Sequence, residues 1–238
     1  DGDARACACA GEFLPGVEMC VFDAYGTLID FNSAVARHRR TVGPSANALS
    51  ELWRTKQIQY TWLRNAMGTH APFWQVTGEA LDHCLAAHRI TDPTARERLM
   101  GAYLALDPFP EAPGMLACLA RAGRRTAILS NGNPGMLEPM VAASGLASHF
   151  EAVLSVDEVG VFKPDPRVYR LVEARCGVTP DRVCFLSSNC WDAHGAAQFG
   201  FRSVWVNRTG APDDKLPGTL AAVIRDLSDL PDLIGVPR

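Results

Sequence analysis

Met19-Cys20-Val21-Phe22-Asp23-Ala24-Tyr25-Gly26-Thr27-Leu28 is the stretch on which the reading of the chain turns. Four apolar residues run directly into a carboxylate, and a Gly-Thr turn follows. An uninterrupted apolar run of this length suits a strand buried on both faces, as in a parallel sheet covered by helices. The same pattern recurs at Arg125–Asn131, Ala152–Val156 and Arg182–Ser187. A fifth run, Phe201–Asn207, follows a helix-like stretch from Trp191 to Phe199. Each run leads into loop residues and then a helical pattern, which predicts an α/β fold with a parallel sheet.

Between the first and second strands lie about 100 residues without a strand signal. Leu49 to Met67 and Thr77 to His88 carry apolar residues at helical spacing, and Thr91-Asp92-Pro93 opens another helical stretch to Leu106. A crossover helix needs far less chain. The expectation is a helical cap domain inserted over residues 31–107. The return is marked by Pro108-Phe109-Pro110-Glu111-Ala112-Pro113-Gly114, a proline-rich hinge. Residues 19–30 and 108–238 then form the α/β core. Residues 1–18 are acidic, then small and apolar, with no basic leader segment and no methionine before Met19, and no function is assigned to them.

Composition narrows the function classes. The 238 residues are 47% hydrophobic and 21% charged, with a formal net charge of −3, which suits an ordinary globular protein. No basic excess points to nucleic acid, and no apolar run approaches the ~18–20 residues of a membrane span. Only Lys56, Lys163 and Lys215 are lysines, so a lysine within a motif is informative. The eight cysteines include no C-x-x-C pair, and Cys7-Ala8-Cys9 lacks partners for a zinc site. Cys20 and Cys184 sit in apolar runs. The expectation is reduced thiols in a cytoplasmic protein, with the Asn207-Arg208-Thr209 sequon unused.

In open α/β sheets, ligands bind beyond the carboxyl ends of the strands. Four strand ends there deliver Asp23-Ala24-Tyr25-Gly26-Thr27, Ser130-Asn131-Gly132-Asn133, Lys163-Pro164-Asp165 and Ser187-Ser188-Asn189-Cys190-Trp191-Asp192. Turn residues belong at strand ends anyway, so each motif alone says little. Together they supply a carboxylate, hydroxyl and amide groups, a lysine and a second carboxylate.

These motifs in this order resemble the haloacid dehalogenase superfamily, and more narrowly the (S)-2-haloacid dehalogenases. Leu52-Trp53-Arg54-Thr55-Lys56-Gln57 and Tyr60-Thr61-Trp62-Leu63-Arg64 are similar to that subfamily's cap. The resemblance implies a Rossmann-like core and an aspartyl ester mechanism. Asp23 would be the nucleophile, and Lys163 would keep it ionised. Thr27 and Ser187 would hydrogen-bond around it. Ser130 and the backbone amides of Ala24 and Tyr25 would hold the substrate carboxylate. Arg54 and Asn131 would receive halide, between Phe73 and Trp191 as apolar walls. Asp192, with Asn189, would position or activate the hydrolytic water. No cofactor or metal is implied, the partners are a small 2-haloacid and the released halide, and a homodimer is expected.

Two other functions compete. Phosphatases of the superfamily carry a second Asp two residues after the nucleophile, where this chain has Tyr25, and paired acids where it has Ser187-Ser188-Asn189. Mg²⁺ needs several oxygen ligands, preferably anionic, which weakens the phosphohydrolase reading. A catalytically inactive relative that binds a small anion is the other alternative. The chain departs from the dehalogenase pattern at Phe162, where tyrosine is common, and at Cys190, where alanine is usual.

Overall fold

The computed structural model describes residues 13–237. Residues 1–12, with the Cys7-Ala8-Cys9 motif and most of the expected N-terminal segment, lie outside the described residues, as does Arg238. The core is one six-stranded sheet with strand order β3-β2-β1-β4-β5-β6, every neighbouring pair parallel. Its strands are β1 (Met19–Phe22), β2 (Arg125–Ser130), β3 (Ala152–Ser155), β4 (Val183–Ser187), β5 (Arg202–Val206) and β6 (Ala222–Ile224). β1 and β4 are buried at every position, as continuous apolar runs require when both faces are covered. Five strands fall where the sequence predicts them. β6 is an addition: Ala-Val-Ile is too short to stand out, and pairing with β5 makes it a strand.

No strand occurs between β1 and β2. That stretch holds α1 (Asn32–Arg37), α2 (Arg39–Val42), α3 (Ala46–Met67), α4 (Phe73–Ala87) and α5 (Ala95–Tyr103). α3 buries Leu49, Trp53, Gln57 and Thr61, one side chain per turn along a single stripe. It stops at Gly68, whose φ of 66° is costly for other residues, and the Thr69 amide returns to the Arg64 carbonyl. The stripe packs on α4, where the Trp53 indole donates to the Thr77 carbonyl at 2.9 Å. Phe31, Trp53 and Tyr103 form a cluster of rings 5.3–5.6 Å apart, and Tyr25 joins it at 5.0 Å from Tyr103. Each such ring pair contributes about 0.5–1.5 kcal/mol beyond its burial. The loop after β1 is thereby packed against the helical insertion.

The remaining helices are α6 (Ala112–Arg121), α7 (Pro134–Ala143), α8 (Pro166–Cys176), α9 (Cys190–Phe199) and α10 (Leu230–Leu233). At the hinge, the Asp30 amide donates to Asp107 and the Phe109 amide to Leu28, at 2.8 and 2.9 Å. On the far side, the Asn65 amide group clips the Phe162 backbone, donating to its carbonyl and accepting from its N–H at 2.8 and 2.9 Å. Among the described residues no helix is long and apolar enough to cross a membrane.

Candidate active site

The strand order reverses at β1, whose neighbours β2 and β4 lead to opposite edges of the sheet. Such a switch point opens a crevice at the strands' carboxyl ends. Asp23 stands there, one residue past β1, with its amide donating to Leu186 of β4 at 2.9 Å. The turn beyond it closes on the Ala24 carbonyl, which accepts the amides of Thr27, Leu28 and Ile29. Gly26 has a φ of 85°, and an added Cβ would lie 3.2 Å from Ser188 Oγ. Glycine therefore permits both the turn and the close approach of the loop after β4.

The two oxygens of Asp23 have different company. Oδ2 accepts from Thr27 Oγ1 at 3.1 Å, Asn189 Nδ2 at 3.0 Å and Ser187 Oγ at 3.5 Å. Oδ1 accepts from Lys163 Nζ at 3.1 Å. That ammonium also donates to Asp192 Oδ2 at 2.9 Å, and its side chain is 1% exposed. The remaining Asp192 oxygen accepts from the Tyr169 hydroxyl at 2.7 Å.

This buried cluster carries two carboxylates and one ammonium. Burial alone would push Lys163 down, but Asp192 and Asp23 outweigh it and hold the ammonium above the ordinary lysine value. Burial pushes Asp192 up, against the lowering influence of Lys163, and the Asp23 charge adds to the rise. Lys163 is therefore a fixed cation rather than a proton acceptor near neutral pH.

Arg54 reaches the same point from α3, so it is not a plain surface arginine. Its Nη2 donates to Asn189 Oδ1 at 3.2 Å and to the Tyr25 carbonyl at 3.3 Å, and its Nη1 to Gln57 Oε1 at 2.8 Å. Asp23, Tyr25, Arg54, Phe73, Ser130, Asn131, Lys163, Asn189 and Trp191 all line one cavity, with Ile58. The space is tight: about 10 Å³, room for one water-sized sphere. Asn131 is oriented by accepting the Lys163 amide at 2.9 Å, and Ser130 Oγ accepts the Gly132 amide at 3.0 Å. Ala24 places no side chain in the cavity. Thr27, Ser187 and Asp192 stand behind it, in contact with Asp23 or Lys163. Trp191 packs edge-on against Trp62 at 5.2 Å.

Sequence reasoning missed Tyr169, Gln57, Ile58 and Arg208. Tyr169 stands six residues after Lys163, and only the packing of α8 on α9 brings it to Asp192. Arg208 donates to the Thr27 carbonyl at 2.7 Å, lies 3.6 Å over the Phe109 ring and pairs with Glu111 at 2.7 Å. It thus ties the loop that carries Thr27 to the hinge.

The site does not fit Mg²⁺. Among the described residues, Asp23 and Asp192 are the only acidic side chains at the point, and the Lys163 ammonium stands between them where a cation would. Position 25 is a buried tyrosine whose hydroxyl has no hydrogen-bond partner among the described residues, and burial raises it well above the usual phenol value.

Residues 17–200 match the family model of the haloacid dehalogenase-like hydrolases, and the chain belongs to that family. It is 45% identical over 219 residues to (S)-2-haloacid dehalogenase 1 of Pseudomonas sp. strain CBS-3, covering 92% of this chain and 96% of that one. It is 46% identical over 218 residues to (S)-2-haloacid dehalogenase 4A of Burkholderia cepacia, covering 91% and 94%. The structure of L-2-haloacid dehalogenase from Xanthobacter autotrophicus with chloropropionic acid covalently bound superimposes with a TM-score of 0.84 at 39% identity, covering 91% of this chain and 98% of that one.

Proposed function

We propose that this chain is an (S)-2-haloacid dehalogenase that converts short-chain (S)-2-haloalkanoic acids to (R)-2-hydroxyalkanoic acids through an ester on Asp23. The observation that carries the reading is the setting of Asp23. One of its oxygens is fixed by Thr27, Asn189 and Ser187, and the other faces a buried lysine, with no acid at position 25 to protonate a leaving group. A halide needs no such proton. The phosphohydrolase alternative needs both the acid and a metal site, and an inactive relative has no use for the complete set.

In the first step Oδ1 attacks C2 in line. The O–C2 bond forms as the C2–halogen bond breaks, and halide leaves with the electron pair toward Arg54 and Asn131. Fixing the carboxylate beforehand supplies the proximity on which a modest nucleophile depends. Ser130 and the amides of Ala24 and Tyr25 hold the substrate carboxylate, and Phe73 and Trp191 enclose the alkyl group. Back-side attack from one fixed carboxylate selects one enantiomer and inverts it. In the second step water attacks the ester carbonyl carbon of Asp23 and gives its proton to Asp192, with Asn189 orienting it. The tetrahedral intermediate then collapses, and the bond between the Asp23 carbonyl carbon and the oxygen on C2 breaks. That oxygen takes the proton back from Asp192, and the hydroxy acid departs with the oxygen that Asp23 had supplied. The new Asp23 carboxyl gives its remaining proton to solvent. Asp192 takes the base role because Lys163 stays protonated.

The same proposal includes independence of metal, a helical cap over residues 31–107 that moves to admit substrate, a cytoplasmic location and a homodimer. The tightness of the cavity supports the moving cap and the short chain length. Free thiols at Cys20, Cys84, Cys118, Cys176, Cys184 and Cys190 suit a reducing compartment. Trp62, Leu63 and Met67 are 41%, 48% and 71% exposed along α3, an apolar face suited to a second copy.

Isotope placement tests the covalent step. With enzyme in molar excess in ¹⁸O-water, the first hydroxy acid should be unlabelled and the label should appear on the peptide containing Asp23. Immediate labelling of the product would make Asp23 a general base for direct water attack instead.

A further inference from the structure

On the face of α9 roughly opposite Asp192, Cys190 and His194 stand one helical turn apart and meet Asp213 from the loop after β5. The three donor atoms, Cys190 Sγ, His194 Nε2 and Asp213 Oδ1, all lie within 4.8 Å of one another. Nε2 is 2.7 Å and Sγ 3.6 Å from Oδ1. Cys190 and His194 are buried, and Asp213 is partly exposed.

The other histidine nitrogen decides what this arrangement means. Nδ1 lies 2.9 Å from the Gly218 carbonyl, which only accepts, so Nδ1 carries a proton. Nε2 then points its remaining valence at a carboxylate oxygen. Two lone pairs cannot face each other at that distance, so a cation must stand between them. A proton can fill that place, and the Cys190 thiol directs its own proton at the same oxygen. An imidazole held by a backbone carbonyl on one nitrogen, with the other aimed at a thiol and a carboxylate, is the usual setting of a metal-ligating histidine. The loop is also held in place: Gly218 has a φ of 94°, and a Cβ there would lie 2.5 Å from the His194 carbonyl oxygen.

We propose that Cys190, His194 and Asp213 form a binding site for one thiophilic divalent metal ion of the zinc class, separate from the catalytic cavity. The exchange is balanced in charge. Imidazolium, thiol and carboxylate release two protons, one each from nitrogen and sulfur, and take up M²⁺ as imidazole, thiolate and carboxylate. Ligand atoms around a tetrahedral zinc are spaced about 3.3–3.8 Å, given bonds of ~2.0–2.3 Å. Asp213 therefore draws back from His194 by about half an ångström, which a partly exposed loop residue permits. Of the three, Cys190 also lines a groove of about 560 Å³ together with Asn207 and Asp214, a path by which an ion and a water ligand would reach the site. Bound there, the ion ties the first turn of α9, beside Asn189, to the loop after β5.

Cobalt(II) added to the metal-free full-length protein is the probe. One equivalent should bind with a thiolate-to-cobalt charge-transfer band and the intense visible bands of a tetrahedral site, and zinc should displace it. Cys190→Ala should abolish the charge-transfer band, and Asp213→Asn, on a partly exposed loop that tolerates the change, should weaken binding by about tenfold or more. A Cys7→Ser/Cys9→Ser variant should bind as the parent does. Absence of a thiolate band overturns the proposal and leaves a protonated histidine–aspartate pair. So does a band that persists in Cys190→Ala, binding that Asp213→Asn leaves unchanged, or a band lost in the Cys7→Ser/Cys9→Ser variant.

Discussion

The Tyr169 hydroxyl donates to Asp192 Oδ1 at 2.7 Å, while the other oxygen of Asp192 holds the lysine that faces Asp23. An ordinary tyrosine of α8 thus begins a chain of four residues, Tyr169, Asp192, Lys163 and Asp23. A carboxylate this deeply buried keeps its charge only while both oxygens have donors.

Tyr169→Phe removes one donor and leaves the ring. The expected cost is about 1–3 kcal/mol of stability, the penalty of leaving a buried acceptor unpaired. On the proposed role of Asp192 toward the hydrolytic water, steady-state halide release should slow by about tenfold or more in kcat with KM falling in step, because slower ester hydrolysis lowers both and leaves kcat/KM unchanged. Urea unfolding and steady-state kinetics measure the two effects separately. An unchanged kcat would remove Asp192 from the hydrolytic step.

Arg54→Lys keeps the charge and loses the planar fork that spans Asn189, the Tyr25 carbonyl and Gln57. Turnover should fall roughly 10²-fold, the scale of losing one donor to developing charge in the transition state. Thermal stability should change little, since the residue is only partly buried. Near-parental turnover would assign halide binding elsewhere.

The pH profile follows from the buried charges. Burial raises Asp192 above the ordinary carboxylate value, and the base role proposed for it requires the ionised form. Activity should therefore be lost as pH falls, with the acid limb of kcat above the usual aspartate range. Lys163 is held above the ordinary lysine value, and the proposed mechanism keeps it protonated, so any loss assigned to it should lie in strongly alkaline solution. Replacing Asp192 by Asn should abolish the acid limb together with most of the turnover. An acid limb at the ordinary aspartate value would contradict the burial effect.

Chelation separates the dehalogenase from its phosphatase relatives. With Lys163 in the cation position between Asp23 and Asp192, exhaustive EDTA treatment should leave halide release from (S)-2-chloropropionate intact, and added Mg²⁺ should not raise it. Loss on chelation with rescue by Mg²⁺, together with turnover of a phosphate ester, would reverse the assignment.

The sequence by itself determined the elements that depend on local chemistry. Short apolar runs at Met19–Phe22 and Val183–Leu186, each ending in turn residues, suit buried strands, and those turn residues mark a ligand-binding edge. The roles of the motif residues came from the resemblance to the (S)-2-haloacid dehalogenases, with Lys163 made more informative by being one of three lysines and Tyr25 by standing where the resembling phosphatases carry an acid. Tertiary structure decided the relations between residues distant in sequence. Arg54 becomes a cavity residue only because α3 is docked over the loop after β1, through the ring contacts of Tyr25, Phe31, Trp53 and Tyr103. β6 exists because β5 offers an edge to three residues of no distinct pattern. Tyr169 meets Asp192, and Asp213 meets Cys190 and His194, across elements whose spacing in the chain carries no sign of the contact. Periodicity and turn chemistry are properties of neighbouring residues and can be read along the chain. A hydrogen bond between two buried polar groups depends on how helices and sheet settle against each other, which packing of the whole core determines.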